Sequence, residues 1–358
     1  MTSLHVLDDP AARERIDPQG MLAAVSALPG QCQDAWNAAQ DMDIPSGYSQ
    51  IRSIAVLGMG GSAIAGDLWR VLLQRECSVP VFNVRQYDLP PYVDGHTLVI
   101  ASSYSGNTEE TLSAFNQALR TPAKKLVLTT GGKILTAARA NGVPVFSYTF
   151  AGEPRAALGW GFMPLLAIGQ KLGLTQGIER DVHEAITVME ALLHDIAQDV
   201  PLAENAAKQM ALSLHERLPV IYCAGPLAEV AHRWKTQLNE SSKIWCFYEE
   251  LPELHHNATV GLELPASTAA NATVVLLQSD TLIHRRVALR FEWTRGLLER
   301  SGINVLSVDA RGQSALAQMM SLILFGDFVS GYLALLYEVD PTPTAVIQDL
   351  RNWLSAQA

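Results

Sequence analysis

The sequence predicts an α/β protein made of two doubly wound domains, each with a parallel sheet between layers of helices. Apolar stretches of strand length alternate with helical stretches, which is typical of parallel strands covered on both faces. The pattern occurs twice, because "IAVLGMGGSAIAGDLWRVLLQ" and "PVIYCAGPLAEVAHRWKTQLN" each give a strand, a glycine-containing turn and a helix. The length of 358 residues also favours two domains, here related by internal duplication.

We divide the chain into three parts on this pattern. An N-terminal helical segment is expected at residues 1–45 and a first domain, with connecting helices, at 46–200. The second domain is expected at 201–358, ending in a helical tail.

The strands are expected where short apolar runs occur between turn residues. In the first domain these are 52–57, 80–84, 97–101, 125–129 and 144–148, and in the second 219–223, 244–248, 273–277 and 303–308. Residues 10–42 and about 156–216 are expected to be mostly helical, and an amphipathic helix ending at Gly302 precedes the last strand.

One segment has the length of a membrane helix. Residues 319–339, "MMSLILFGDFVSGYLALLYEV", are long enough to span a bilayer. Asp327 lies in the middle of the segment, however, and a central carboxylate is costly in lipid. We therefore predict a helix buried between domains or subunits, and no membrane partner.

Composition and cysteine spacing restrict the class of protein. The formal net charge of −10 argues against general binding to nucleic acid. The four cysteines are scattered without a CxxC pair, which suits a reducing cytosol better than a disulfide framework. The first 20 residues have neither a basic nor an apolar signal-peptide region, so a cytoplasmic location is expected.

Two loops follow predicted strands and carry the groups of an anion site. The first, in "VLGMGGSAIAGDL", offers backbone N–H groups at a helix start, and the second, in "VIASSYSGNTEETL", offers hydroxyls. Carboxyl ends of parallel strands are where such sheets bind ligands. The candidate phosphate-binding residues are Gly60, Gly61 and Ser62 in the first loop and Ser103, Ser105 and Thr108 in the second.

Other phosphate and metal motifs fit less well. A GxGxxG pattern starting at Gly58 fails because its third glycine falls on Ala63, although Asp88 keeps a dinucleotide-binding fold open. The chain has no GxxxxGK[ST] motif. The nine histidines form no HExxH or HxH pair, so we expect neither a metal nor a cofactor.

The loop "SSYSGNTEET" resembles the sugar isomerase (SIS) domain, whose hydroxyl-rich loop binds a sugar phosphate. Together with "GMGGSAIAGD", "EPRAALG", "RWKTQLNESSK", "LPELHHN" and "DPTPTAVIQDL", the chain resembles the bifunctional phosphoglucose/phosphomannose isomerases. These motifs occur in order from about residue 55 to 352 and cover nearly the whole chain.

The resemblance implies roles for four residues. Glu240 is the base of an aldose–ketose isomerisation, and it follows a helix that can direct it into the cleft between the domains. Arg155 lies near the reacting carbons, where a guanidinium stabilises an enediolate. His256 opens the sugar ring and comes from the partner subunit of a homodimer, while the adjacent His255 is expected to be a plain surface residue.

The fourth residue, Arg351, stands where the resemblance leads us to expect a lysine. An arginine stays charged and cannot pass a proton, so ring opening would depend on His256 or the substrate would differ. The pattern also has a glutamate where this chain has Ala258.

We therefore expect a metal-free isomerase of glucose 6-phosphate, mannose 6-phosphate, or both, with fructose 6-phosphate as the ketose. Two alternatives remain open at this point. One is a sugar-phosphate-binding protein without turnover, and the other is an isomerase of an amino or other sugar phosphate.

Overall fold

A computed structural model of the chain describes residues 5–357, which form two parallel sheets. The first sheet contains β1 (Ser53–Leu57), β2 (Val81–Val84), β3 (Thr97–Ser103), β4 (Lys124–Thr129) and β5 (Val145–Ser147). The second contains β6 (Leu218–Ala224), β7 (Phe247–Leu251), β8 (Ala272–Gln278) and β9 (Asn304–Asp309). The predicted α/β class with two parallel sheets is confirmed.

The two sheets share one strand order. It is β2-β1-β3-β4-β5 in the first and β7-β6-β8-β9 in the second, with β5 as the additional strand. In each sheet the first strand along the chain lies between the second and the third, so the connections leave it in opposite directions. This arrangement makes the switch point at which open parallel sheets bind ligands. The shared order is what a duplicated fold requires.

Helices cover the faces of both sheets. In the first half they are α1 (Pro10–Ile16), α2 (Met21–Ser26), α3 (Leu28–Gln40), α4 (Gly60–Leu73), α5 (Glu109–Ala118), α6 (Gly132–Ala140) and α7 (Leu158–Lys171). In the second half they are α8 (Ile178–Ile196), α9 (Ala206–Leu214), α10 (Ala228–Glu240), α11 (Ala266–Asn271), α12 (Arg285–Arg300), α13 (Ala315–Leu336) and α14 (Ala345–Ser355). The helical regions expected from the sequence are all present.

The strand predicted at 244–248 was misplaced, because β7 begins only at Phe247. Cys246 is buried in the core, and the Ile244 amide donates to the Leu238 carbonyl, which completes the last turn of α10. The apolar run therefore belongs to a helix end. The strand itself, "FYEEL", lies at the edge of the sheet, where one neighbouring strand suffices and polar residues are tolerated.

Helix α13 is the apolar segment that the sequence predicts to be buried. Among residues 5–357 it is the one helix with the length and hydropathy to span a membrane, and 94% of its most apolar window is buried inside the protein. It packs against α8, α9 and α10. The prediction of a buried helix is confirmed, and the carboxylate of Asp327 is paired there with Arg233.

One hydrophobic core joins the inner faces of the two sheets. It runs from Ile54 of β1 through Trp36 of α3, Phe162 of α7 and Phe328 of α13 to Val275 of β8. Smaller apolar clusters cover the outer face of each sheet. Because the core is continuous, packing fixes the loops of one sheet relative to the helices that follow the other.

Candidate active site

The loop after β1 places a helix start and a hydroxyl at the switch point of the first sheet. Gly60 has a φ of +51°, a left-handed conformation that favours glycine, and no side chain caps the first turn of α4. A Cβ at Gly61 would lie 2.9 Å from the Pro154 carbonyl oxygen. The absence of a side chain at Gly61 therefore lets the backbone of Pro154 and Arg155 pack against the start of α4. The Ser62 hydroxyl accepts from the Tyr104 amide at 3.2 Å. The first loop is thus joined to the second.

The loop after β3 brings together two of the three predicted hydroxyls. The buried Ser103 hydroxyl lies 3.1 Å from that of Thr108, which precedes α5 but caps none of its amides. Ser105 is exposed, and its hydroxyl accepts from the Asn107 amide at 3.2 Å. The arrangement leaves hydroxyls and the N-terminal amides of α5 on one loop, as an anion site requires.

A third loop, after β4, completes this edge and was missed from the sequence. A Cβ at Gly106 would lie 1.8 Å from the Gly131 carbonyl oxygen, and a Cβ at Gly132 would lie 2.4 Å from the Ser105 carbonyl oxygen. Both distances are too short for a side chain, so the two loops pack this closely only because both residues are glycine. The Thr130 hydroxyl donates to the Tyr104 carbonyl at 2.7 Å. The signal was the "TTGG" at the end of the predicted strand 125–129, whose glycines let this loop pack closely against the hydroxyl loop.

Arg155 and Glu240 come together across the two halves of the chain. Arg155 is buried, and its Nη1 lies 3.7 Å from Glu240 Oε2 and 3.4 Å from Glu153 Oε2. Glu240 is the last residue of α10 and is partly exposed. Burial lowers the pKa of Arg155, and the two carboxylates oppose that shift. The pair provides a carboxylate that can accept a proton beside a fixed positive charge.

The C-terminal segment also reaches Arg155. The Arg155 Nη2 donates to the carbonyls of Pro341 and Thr342, each at 2.6 Å. Lys243 donates to the carbonyls of Glu240 and of Pro343, the latter at 2.7 Å. The "DPTP" motif therefore lies against the candidate site, together with a lysine to which sequence analysis gave no role.

The buried ion pair of Arg233 and Asp327 contacts the backbone of Arg155. Arg233 donates to Asp327 through Nη2 at 2.6 Å and through Nε at 3.2 Å, and its Nη2 also lies 3.1 Å from the Arg155 carbonyl. Arg233 precedes Glu240 by seven residues, two turns, on α10. The carboxylate that argues against a membrane helix thus anchors both Arg155 and the helix that carries Glu240.

Two predicted site residues lie apart from this group. His256 is exposed at the end of a short 3₁₀ turn, Glu253–His256. Arg351 is exposed on α14, a helix with no buried residue. Within one chain, the structure does not bring either side chain to Arg155 or Glu240.

The prediction for His255 was wrong. It is half-buried, with Nε2 2.7 Å from the Thr294 hydroxyl and Nδ1 2.9 Å from Arg290 Nη1. Burial and the nearby guanidinium lower its pKa. A neutral imidazole that accepts from Arg290 and donates to Thr294 satisfies this geometry, so His255 is a structural residue of the second sheet's outer layer.

One group of potential metal ligands occurs among the described residues, away from Arg155. Ligand atoms of Asp67, Glu229 and His232 all lie within 4.8 Å of one another. Arg85 bonds to Asp67, however, and Arg70 bonds to Glu229. Because guanidinium groups already pair with both carboxylates, the group forms an ion-pair network between α4 and α10.

Comparison with known proteins gives consistent matches over most of the chain. Residues 203–354 match the family described as the bacterial phospho-glucose isomerase C-terminal SIS domain. A bifunctional phosphoglucose/phosphomannose isomerase of Caldicellulosiruptor bescii is 41% identical over 336 residues, 94% of this chain and 99% of the relative. Another of the same description, from Aquifex aeolicus, is 33% identical over 90% of this chain and 97% of its own.

The fold also matches solved structures. A hypothetical protein from Thermus thermophilus superposes with a TM-score of 0.74 at 16% identity, over 97% of this chain and 93% of that one. At such low identity the likeness concerns the fold alone.

Proposed function

The chain belongs to the bifunctional phosphoglucose/phosphomannose isomerase family, and we propose that it interconverts glucose 6-phosphate and mannose 6-phosphate with fructose 6-phosphate. The observation that carries the proposal is the approach of Arg155 to Glu240, at 3.7 Å. The reaction moves one proton between C2 and C1 and a second between the oxygens on those carbons, and a carboxylate beside a fixed cation suits the carbon-to-carbon transfer.

The proposed chemistry runs through a cis-enediolate. The Glu240 carboxylate takes the proton from C2 of the open-chain aldose, and the electron pair of the C–H bond forms the C1–C2 double bond of the enediolate. Arg155 stabilises the negative charge on the oxygen at C1. Glu240 then returns its proton to C1 as the C2 carbonyl forms, while the hydroxyl at C2 gives its proton to the oxygen at C1, which becomes the C1 hydroxyl of the ketose. No step is assigned to a metal or cofactor.

The phosphate is proposed to bind at the edge formed by the first two loops. Ser62, Ser103, Ser105 and Thr108 supply hydroxyls, and the starts of α4 and α5 supply backbone amides and the positive ends of helix dipoles. Gly60 and Gly61 let the backbone approach the anion. The contact between Gly61 and Pro154 places this edge next to Arg155.

We propose that two copies of the chain associate and that His256 acts in the site of the partner subunit. The second half exposes large apolar side chains near this histidine in the sequence, among them Trp245, Val260 and Leu264, which are 78%, 88% and 81% exposed. Helix α14 adds Leu350 and Trp353. Exposed apolar surface of this extent is typical of an interface.

Arg351 is assigned an electrostatic contact with the substrate. Because α14 leaves it exposed in one chain, this contact requires α14 to be covered in the dimer. Scattered cysteines, all of them free in the structure, and a sugar-phosphate substrate are consistent with the proposed location in the cytoplasm.

The test is a coupled assay with each aldose phosphate in turn. Both are expected to yield fructose 6-phosphate, with Glu240→Gln inactive on both. If the protein binds the sugar phosphates but converts neither, it is a binding protein without turnover. Conversion of an amino-sugar phosphate alone would indicate a different substrate.

A further inference from the structure

Lys243 has a side chain whose donors are committed to backbone carbonyls around the candidate site. It is the third residue after Glu240, and its Nζ donates to the Glu240 carbonyl, to Pro343 at 2.7 Å and to Pro341 at 3.4 Å. An ammonium has three donors, so these contacts use all of them. Lys243 therefore links the end of α10 to the C-terminal segment.

The segment at 341–343 depends on such donors. Its sequence is Pro-Thr-Pro, and a proline has no N–H with which to build regular structure. All three of its carbonyls accept from two cations: Arg155 bonds to Pro341 and Thr342, and Lys243 bonds to Pro341 and Pro343. The two cations share the Pro341 carbonyl, so a shift of the segment would move both.

Arg155 and the segment 341–343 each contain a buried polar atom without a hydrogen-bond partner among the described residues. Arg155 and Thr342 are 4% and 7% exposed, yet Arg155 Nε and Thr342 Oγ1 have no hydrogen-bond partner among residues 5–357. Buried polar groups are nearly always paired, so these two atoms mark a place where the hydrogen bonding around Arg155 and the segment 341–343 is incomplete. Their placement matters to the chemistry because small displacements in a reacting site are costly.

We propose that Lys243 is a positioning residue, which holds the segment 341–343 against Arg155 and thereby fixes Arg155 relative to Glu240. The inference rests on the proposed isomerase function. Lys243 acts here through Arg155 and the segment, and no contact with the substrate is assigned to it.

The charge of Lys243 gives the proposal a pH signature. Four charged groups face it: Arg155, Asp340, Glu240 and Glu153. Lys243 is an exposed residue whose ammonium is only partly desolvated. That desolvation, and then Arg155, lower the pKa of Lys243, and the three carboxylates oppose that shift. The ammonium is present below this pKa and lost above it, so the three carbonyl bonds weaken as the pH rises. An arginine at the same position stays charged over that range.

The backbone suggests the variants. Lys243 has a φ of +59°, and asparagine accepts the left-handed conformation better than most residues. Lys243→Asn therefore removes the ammonium without adding backbone strain. Glu216→Asn is the matched control, because exposed Glu216 has the same φ of +59° and lies outside the site. Lys243→Arg keeps the charge.

The experiment measures kcat and KM for fructose 6-phosphate, and the pH profile of kcat, for the wild type and the three variants. Lys243→Asn is expected to lose about tenfold or more in kcat with KM within about threefold, since the phosphate loops are untouched. Glu216→Asn is expected to match the wild type. Lys243→Arg should recover most of the turnover and move the alkaline decline of kcat to higher pH.

Wild-type kcat in a folded Lys243→Asn protein, or an Arg variant as slow as the Asn variant, would overturn the inference. If Lys243→Asn does not fold, the alkaline limb of Lys243→Arg decides, and an unmoved limb would overturn it. These results leave the proposed function intact, whereas an inactive wild type would overturn both.

Discussion

At the scale of single residues, Arg155 shows how the surroundings of a side chain restrict what it can do. Its Nη2 donates to the carbonyls of Pro341 and Thr342, and its Nη1 faces Glu153 and Glu240. Its Nε has no hydrogen-bond partner among residues 5–357. Burial lowers its pKa, but an arginine remains charged in a protein. It is therefore a fixed cation held beside Glu240.

Arg351 is one of two residues, with Ala258, at which the resemblance and this sequence differ. If a lysine normally passes a proton there, Arg351→Lys should raise turnover on glucose 6-phosphate, because ring opening gains a proton carrier. A positioned proton-transfer group contributes roughly 10²–10⁴-fold, so a partial gain is measurable. Arg351→Ala loses the cation and should be slower than the wild type. Steady-state rates that are equal for all three proteins would place position 351 outside the site.

The site was only partly predictable at this scale. Glu240 and Arg155 were predicted from the motifs in which they lie, and their side chains approach to 3.7 Å in the structure. Their catalytic roles stay predictions. Lys243 lay in the quoted motif "RWKTQLNESSK", but its role depends on carbonyls that are a hundred residues away along the chain. The group of Asp67, Glu229 and His232 could not be found from spacing, because Asp67 lies on α4 and the other two on α10, far apart along the chain.

At the scale of elements, the hydroxyl loop is the predicted phosphate site. Replacing both Ser105 and Thr108 by alanine should weaken sugar-phosphate binding by roughly 1–3 kcal/mol, the cost of losing hydrogen bonds to a charged group. Calorimetric titration measures the dissociation constant, and Ser213→Ala, a hydroxyl removed from the exposed face of α9, is the control. An unchanged dissociation constant in the double variant would place the phosphate elsewhere.

The ion pair between α10 and α13 makes a second prediction for elements. Asp327→Leu leaves Arg233 buried without a counter-charge and should lower the free energy of unfolding by about 3–5 kcal/mol. Adding Arg233→Met removes the uncompensated charge, so the double variant should regain most of that stability. It should nevertheless be less active than the wild type, because Arg233→Met removes the bond from Arg233 to the Arg155 carbonyl.

Urea unfolding and the coupled assay on the same samples separate the two effects. A double variant as unstable as Asp327→Leu would contradict the assignment of the loss to the unpaired charge. A fully active double variant would show that Arg155 needs no support from Arg233.

Element types were predicted well and one element boundary was not. Alternating apolar runs and helices indicated both parallel sheets, since a strand covered on both faces has a continuous apolar sequence. β7 was shifted by three residues because an edge strand is not under that constraint, while the apolar residues before it belong to the end of α10. The "TTGG" loop was missed because its contacts are with the hydroxyl loop, which lies 26 residues earlier in the chain, and the sequence does not show that the two loops meet.

At the scale of the whole molecule, the proposed dimer predicts complementation. If Glu240 and His256 of one site come from different subunits, Glu240→Gln and His256→Ala proteins are each inactive. A mixed dimer then has one site with both native residues. Random exchange makes half of the dimers mixed, so about a quarter of all sites should recover. Activity that stays absent after proven subunit exchange would mean that each site is built within one chain.

The central claim is that Glu240 carries the proton between C2 and C1, and hydrogen exchange tests it directly. In D₂O, NMR should show the wild-type protein replacing the C2 hydrogen of glucose 6-phosphate with deuterium. Glu240→Gln keeps the size of the side chain but removes the base, so it should bind the sugar phosphate with wild-type affinity and show no exchange. Exchange that persists at the wild-type rate in Glu240→Gln would contradict the account.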